Sequence, residues 1–417
     1  MIHFEKYKLD NGLTVILHQD KNTPIAAVNI TYNVGSRDEN PNRTGFAHLF
    51  EHLMFGGSKN IPKYDTPLQN AGGENNAFTN VDITNYYLTL PVQNLETAFW
   101  LESDRMNELA FSQKSLDIQR NVVVEEFKQS YLNQPYGDAM LLLMPLAYNV
   151  HPYQWNPIGK NTKHIEEAAM DEVKAFFYAF YRPNNAVLSV AGNLDVGKTA
   201  AMIEKWFGTI PAGTPYVRNL PQEPVQKQAR KLEVERPVPI DCIYKAYRMG
   251  KRTDEDFYAV DLISDLLGNG QSARLQQSLV QQKQLFSSIN ASILGTFDDG
   301  LLLISGYLNP SVSLVQADEA LQKELEKLKA ETISEYELQK VKNKVKTVLA
   351  YSKLLVQDKA MNLGIAETLC DAQMVNTELD KYNAVSREDV LENSKKILKE
   401  ESCSTLYYKA KKNTLTN

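Results

Sequence analysis

Strands and helices alternate along this 417-residue chain, and the alternation runs twice. That pattern predicts an α+β fold of two homologous domains in tandem, each a mixed β-sheet with helices packed on one face. Three pairs of segments carry the prediction. Tyr32-Asn33-Val34-Gly35-Ser36-Arg37 closes an apolar strand, and Tyr247-Arg248-Met249-Gly250-Lys251-Arg252 closes another about 215 residues later. A helical period through residues 46–53 runs into Gly56-Gly57-Ser58. Its counterpart at residues 260–266 runs into Gly268-Asn269-Gly270, at an offset of 213. Asp171-Glu172-Val173 opens a helix before a strand at residues 186–190, and Glu388-Asp389-Val390 opens one before residues 404–408, at an offset near 217. The order is the same and the offset nearly constant, which predicts a duplicated unit of about 210 residues. Five prolines (Pro211, Pro215, Pro221, Pro224 and Pro237) mark residues 213–236 as a linker between domains spanning 1–212 and 237–417.

Composition agrees with a globular chain. Hydrophobic residues make up 43% and charged residues 23%, which excludes disordered and fibrous classes. A net charge of −6 argues against a nucleic-acid partner, which would call for a concentrated basic patch. No apolar run is long enough for a membrane span, so no membrane association is expected. The first twenty residues alternate apolar and polar side chains and turn at Asp10-Asn11-Gly12, as strands do, and lack the apolar core of a secretory signal. The expectation is a cytoplasmic protein, with the periplasm as the alternative. Cys242, Cys370 and Cys403 are few and far apart, which fits a reducing compartment and plain core packing.

The segment with chemical content is His48-Leu49-Phe50-Glu51-His52. Helical residues four apart share a face, so His48 and His52 can present two imidazoles to one ion. Glu51 lies on the adjoining face, close enough to orient a water on that ion. Neutral imidazoles suit zinc, and the His-x-x-Glu-His order supplies two ligands and a general base. With 6 histidines in the chain, chance would produce this pattern in roughly 0.01 of such chains, against the alternative of two surface histidines. Leu49, Phe50 and Leu53 put an apolar wall beside it.

A third ligand has to come from elsewhere. Residues 119–127, within a helix expected over 117–132, end in Glu125 and Glu126, and a carboxylate there would complete a His₂Glu set with an open fourth position; an acidic helix surface is the plain alternative. Gly72-Gly73 turns into a segment including Asn76, Ala77, Phe78 and Thr79. As an edge strand it could pair with an extended peptide; as an ordinary hairpin it would do nothing further. His3, His18, His151 and His164 lack ligand spacing and read as surface or packing residues. A Lys-, Glu- and Leu-rich helix is expected over 334–355.

The run from Thr44 to Ser58, together with Gly72-Gly73, Asn76-Ala77, Thr79 and Tyr181-Arg182-Pro183-Asn184-Asn185, resembles the short form of the pitrilysin or insulinase family of inverted-motif zinc peptidases, over essentially the whole chain. The resemblance implies one zinc per chain and hydrolysis of peptides in a chamber formed by two pairs of such domains, with metal only in the first domain of this chain. It assigns His48, His52 and Glu126 as ligands, with Glu125 less favoured, and Glu51 as the general base. Two departures stand out. The family's supporting glutamate, seven residues before the third ligand, is Gln119 here, an amide that can still hydrogen-bond. The family's substrate-holding arginine and tyrosine follow a Ser-x-Arg-Leu motif, kept here as Ser272-Ala273-Arg274-Leu275, but their positions fall on Val280 and Ser287. The chain therefore reads as a zinc endopeptidase subunit that forms a heterodimer with a paralogous chain carrying that pair; the alternative is a homodimer in which Arg274 or another cation substitutes. Two non-enzyme readings compete: a scaffold subunit, like the core subunits of respiratory complexes that share the fold, and a peptide-binding module with structural zinc. An intact metal motif disfavours the first, and an open fourth position the second.

Overall fold

The duplication read from the sequence is visible in strand order. Six strands form one sheet: β1 (Glu5–Lys8), β2 (Thr14–Gln19), β3 (Ile25–Tyr32), β4 (Glu74–Thr79), β5 (Thr84–Pro91) and β6 (Ala186–Gly192), in the order β1-β2-β6-β3-β5-β4. Five form another: β7 (Arg230–Arg236), β8 (Cys242–Arg248), β9 (Phe286–Leu294), β10 (Leu301–Leu308) and β11 (Cys403–Ala410), in the order β7-β11-β8-β10-β9. Without β1 the two orders coincide, and so do the strand senses. β2 runs parallel to β6 as β7 does to β11, and the remaining neighbours are antiparallel in both sheets. The expected α+β class, with mixed sheets and helices, therefore holds for both copies.

The computed structural model describes residues 1–411, which divide into two compact units. The first comprises Met1–Phe127, Trp155–Leu220 and Val348–Glu378; the second comprises Lys128–Gln154, Pro221–Thr347 and Leu379 onward. Each unit thus takes in a helical segment from the other half of the sequence, whereas the sequence reading drew contiguous domains of 1–212 and 237–417. The helix Val356–Leu369 belongs to the first unit, where it lies against β3 and β6. Its Leu363 and Ala366 join Ile16 and Val187 in one apolar cluster, and its Val356 and Ala360 join Ala27 and Ala191 in a second. Where it crosses the sheet it presents Gly364, because the sheet there is polar: a Cβ on Gly364 would stand 2.8 Å from Asn29 Nδ2 and 2.9 Å from Thr31 Oγ1.

The boundary at 213–236 needs one correction. β7 lies inside it, because Arg-Lys-Leu-Glu-Val-Glu-Arg alternates apolar and charged residues and pairs along its length with β11. Pro237 ends that strand; it does not end a linker. Two helices also differ in extent from the sequence reading. The expected 117–132 helix is Gln113–Phe127 followed by a wider turn over Lys128–Leu132, and the expected 334–355 helix is Glu335–Tyr351. Among the described residues, no helix is long and apolar enough to cross a membrane.

Candidate metal centre

The helix Phe46–Leu53 places the motif, and its burial pattern explains how. Phe46, Ala47, Leu49, Phe50 and Leu53 are buried, while His48, Glu51 and His52 remain partly open. Phe50 anchors the helix: its ring stacks on Phe176 at 5.2 Å and on Tyr181 at 5.0 Å between centroids. The helix packs against Gln113–Phe127, whose Val123, Val124 and Phe127 point inward and leave Glu126 half-buried at the contact.

That packing brings three donors together. Glu126 Oε2 lies 3.6 Å from His48 Nε2 and 3.5 Å from His52 Nε2, and ligand atoms of all three residues fall within 4.8 Å of one another. Among the described residues this is the one such group of three. Burial pushes the His48 imidazole down to about 4, against the pull of the Glu126 charge. His48 is therefore neutral at physiological pH, the state a ligand needs. The hydrogen bond from His52, and then the nearby imidazoles, hold the Glu126 carboxyl below its ordinary range. Two imidazoles and one carboxylate, with no fourth His, Cys, Asp or Glu donor in the group among the described residues, fit the His₂Glu set of an open zinc site. Glu125 is the exposed neighbour, one residue round the helix, and is not part of the group.

Glu51 is aimed beside this group. Burial pushes its carboxyl above the ordinary range, with Thr79 next to it pulling the other way. Thr79 closes β4, the last strand of its sheet, so that β4 pairs with β5 on one side only. A cleft of about 280 Å³ opens between helix and strand, lined by Glu51, His52, Phe55, Asp65, Asn75, Asn76 and Ala77. Of the four β4 residues singled out from sequence, Asn76 and Ala77 line the cleft, Thr79 stands by Glu51, and Phe78 does neither. Gln119 is half-buried two turns before Glu126 on the same helix. The cleft's Phe55 wall rests on a buried ion pair: Arg105 donates to Glu102 at 2.9 and 2.6 Å, and its guanidinium lies 4.5 Å from the rings of Tyr64 and Tyr86 and 5.2 Å from that of Phe55.

Sequence reasoning missed the residues that hold the helix start. The Glu39 carboxylate receives the backbone N–H groups of Gly45 and Ala47 and the indole of Trp155. Burial pushes Glu39 up to about 8, against those three donors. His164, set aside as a packing residue, accepts from the Thr44 N–H at 3.1 Å. Glu39 stands nine residues before His48 in an unpatterned loop, and no spacing rule marks it.

In the second unit, Val280 falls in the wide helical turn Gln276–Gln282. Ser287 is exposed on β9 and donates to Tyr307 O. Neither supplies a cation. Arg274 forms a two-pronged pair with Glu337 at 2.8 and 3.0 Å, and that pairing holds the Glu337 carboxyl down at about 2.

A duplicated sheet-and-helix unit whose first copy carries an inverted His-x-x-Glu-His helix and an outlying glutamate is the architecture of the inverted-motif metallopeptidase class. Residues 14–148 match the family model described as "Insulinase (Peptidase family M16)", and residues 168–345 match that of the "Peptidase M16 inactive domain". The zinc protease PqqE of Helicobacter pylori is 33% identical over 352 residues, covering 81% of this chain and 77% of that protein. The uncharacterised zinc protease YmxG of Bacillus subtilis is 28% identical, covering 93% of both. The crystal structure of a protease from H. pylori superposes with a TM-score of 0.92 at 28% identity, covering 98% of this chain and all of that one. The chain belongs to the insulinase family, peptidase family M16.

Proposed function

We propose that this chain is a zinc-dependent endopeptidase subunit that cleaves extended peptides. The observation that carries the reading is the convergence of His48, His52 and Glu126 within 4.8 Å, with Glu51 directed beside them. Relatives named zinc proteases support it. Zinc held by these three side chains would supply Lewis acidity, polarising the scissile carbonyl and lowering the pKa of water. Glu51, whose carboxyl is raised by burial, takes the proton from the attacking water and passes it to the leaving amine. The open edge of β4 offers main-chain donors and acceptors to an extended substrate, which favours unfolded peptides over folded proteins.

The same reading includes a partner. Stabilising the developing oxyanion needs donors beyond the metal, and Val280 and Ser287 provide neither a cation nor the reach of a tyrosine. Arg274 is committed to Glu337, which weighs against a homodimer in which Arg274 substitutes. The working enzyme is then a heterodimer with a paralogous chain that has an Arg-x₆-Tyr pair and no His-x-x-Glu-His. The test is hydrolysis of quenched peptides by zinc-loaded chain, alone and with that paralogue. Glu51→Gln should keep zinc and fold while turnover falls by about 10²–10⁴. Wild-type rates from Glu51→Gln would sink the catalytic role, and full activity of the isolated chain, unchanged by the paralogue, would sink the heterodimer.

A further inference from the structure

The metal helix begins without a cap of its own. Its preceding residue is Gly45, with φ +93° and no side chain to receive the first-turn N–H groups. A side chain could not be added there without collision, since a Cβ on Gly45 would lie 2.8 Å from Ile165 Cδ1 and 3.0 Å from Ile158 O. Thr44, one residue earlier, is engaged elsewhere: its hydroxyl accepts from the Lys160 N–H at 2.8 Å and meets His164 Nδ1 at 2.9 Å.

Glu39 fills that vacancy from outside the helix. Its Oε2 accepts from the Gly45 N–H and its Oε1 from the Ala47 N–H, both at 2.9 Å. The Trp155 indole N–H is shared between Glu39 Oε2 at 3.1 Å and Ser36 O at 2.9 Å, which ties the carboxylate to a second element. Glu39 is 5% exposed, and among the described residues no lysine or arginine pairs with it. Burial favours the protonated form of this carboxyl, while the three N–H donors and the helix dipole favour the anion. Ala47 is the residue next to His48, and one turn links His48 to His52. A fork that grips two N–H groups of the first turn fixes both where the helix starts and how far it is rotated about its axis.

We infer that Glu39 is a positioning residue for the metal centre: it sets the start and rotation of the Phe46–Leu53 helix so that the Nε2 atoms of His48 and His52 meet Glu126. The inference rests on the metal reading above. A helix with a free N-terminus could turn or slip by a fraction of a residue, and a ligand set tolerates displacements of only about 0.5 Å.

The test is zinc affinity of the folded chain at 25 °C, measured by competition with a chromophoric chelator, with circular dichroism confirming fold at the same temperature. Glu39→Gln keeps the size but turns an amide N–H toward one of the backbone donors. It should weaken zinc by about 10–100-fold, the range typical of lost supporting contacts. Trp155→Phe keeps the ring and removes one of the three donors, and should weaken zinc by a smaller factor. Leu363→Ala, in the apolar cluster under the first sheet, is the control for general loss of stability, and its zinc affinity should stay near wild type. Glu39→Gln within about twofold of wild type would overturn the inference, as would an equal loss in Leu363→Ala. Failure of both the Glu39 and Trp155 variants to fold would also overturn it, by assigning Glu39 to folding. A wild-type chain that holds no stoichiometric zinc would remove the metal reading itself, and this inference with it.

Discussion

Glu126→Gln tests the least obvious ligand. The substitution keeps volume and one carbonyl oxygen but removes the charge facing His48 Nε2 at 3.6 Å and His52 Nε2 at 3.5 Å. Structural zinc sites with four protein ligands bind with about 10–16 kcal/mol, or about 2.5–4 kcal/mol per ligand. Glu126 is partly open to solvent, so its carboxylate gives up little hydration on binding, and water can take its place when it is lost. The low end of that range applies, which is about a 10²-fold loss of affinity. Because no apolar contact is removed, the metal-free melting temperature should hardly move. Equilibrium competition with a chelator reads the affinity, and calorimetry of the metal-free protein reads the fold. Glu125→Gln is the internal control, since Glu125 stands exposed one residue away and should leave zinc within about threefold of wild type. If Glu126→Gln binds zinc normally while Glu125→Gln loses it, the side-chain assignment from helix packing is wrong.

Three further outcomes follow from the packing and the charges. Arg105→Met leaves the buried Glu102 carboxylate without its partner and strips the guanidinium from three aromatic rings, and should lower stability by about 3–5 kcal/mol in chemical denaturation. Gly364→Ala drives a methyl group to within 3.0 Å of Asn29, Thr31 and Ser189 side-chain atoms, and should cost about 1–3 kcal/mol by the same measurement. Glu337, held from an ordinary 4.5 down to about 2 by Arg274, contributes stability that is present above pH 4.5 and lost as pH falls towards 2. Solvent exposure reduces the contribution to about 1 kcal/mol, and in Glu337→Gln that acid-side slope should flatten.

Most of what the sequence revealed and hid has one physical cause. His48, Glu51 and His52 were legible because one helix turn alone fixes their relation. Glu126 was weaker as a sequence signal, since its place depends on how Gln113–Phe127 packs against the motif helix; only its family spacing singled it out from Glu125. Glu39 left no trace, because capping from a loop is a contact between segments with no period. The same reason explains why the exchange of helices between the units went unseen. Val356–Leu369 is a helix by any local reading, and only the small, apolar and glycine positions along it, Ala360, Leu363, Gly364 and Ala366, tell which sheet it lies on. β7 was hidden for a different reason: the prolines flanking it outweighed its two-residue alternation.

The duplication gives the candidate metal helix a counterpart that, among the described residues, gathers no such donor group. By the offset of 213, His48, Glu51 and His52 correspond to Asp261, Ser264 and Asp265 in the helix Phe257–Gly268. That helix again sets polar residues four apart on one face, but it has spent them on structure. Asp261 accepts from the Tyr382 hydroxyl at 2.5 Å, and Asp265 accepts from Lys344 at 2.9 Å and Asn269 at 2.8 Å. Ser264, in the place of the general base, is buried and returns its hydroxyl to the Asp261 carbonyl at 2.9 Å. Ten of its twelve residues are buried, against five of eight in the metal helix. Two carboxylates at i and i+4 could in principle bind a cation, but here each is already engaged by protein donors, Asp265 by a lysine among them, so an ion would have to displace those donors as well as shed its water. The first copy differs in keeping its i and i+4 side chains turned to one half-buried carboxylate and an open cleft. Ligand availability, more than fold, is what separates the two halves of this chain.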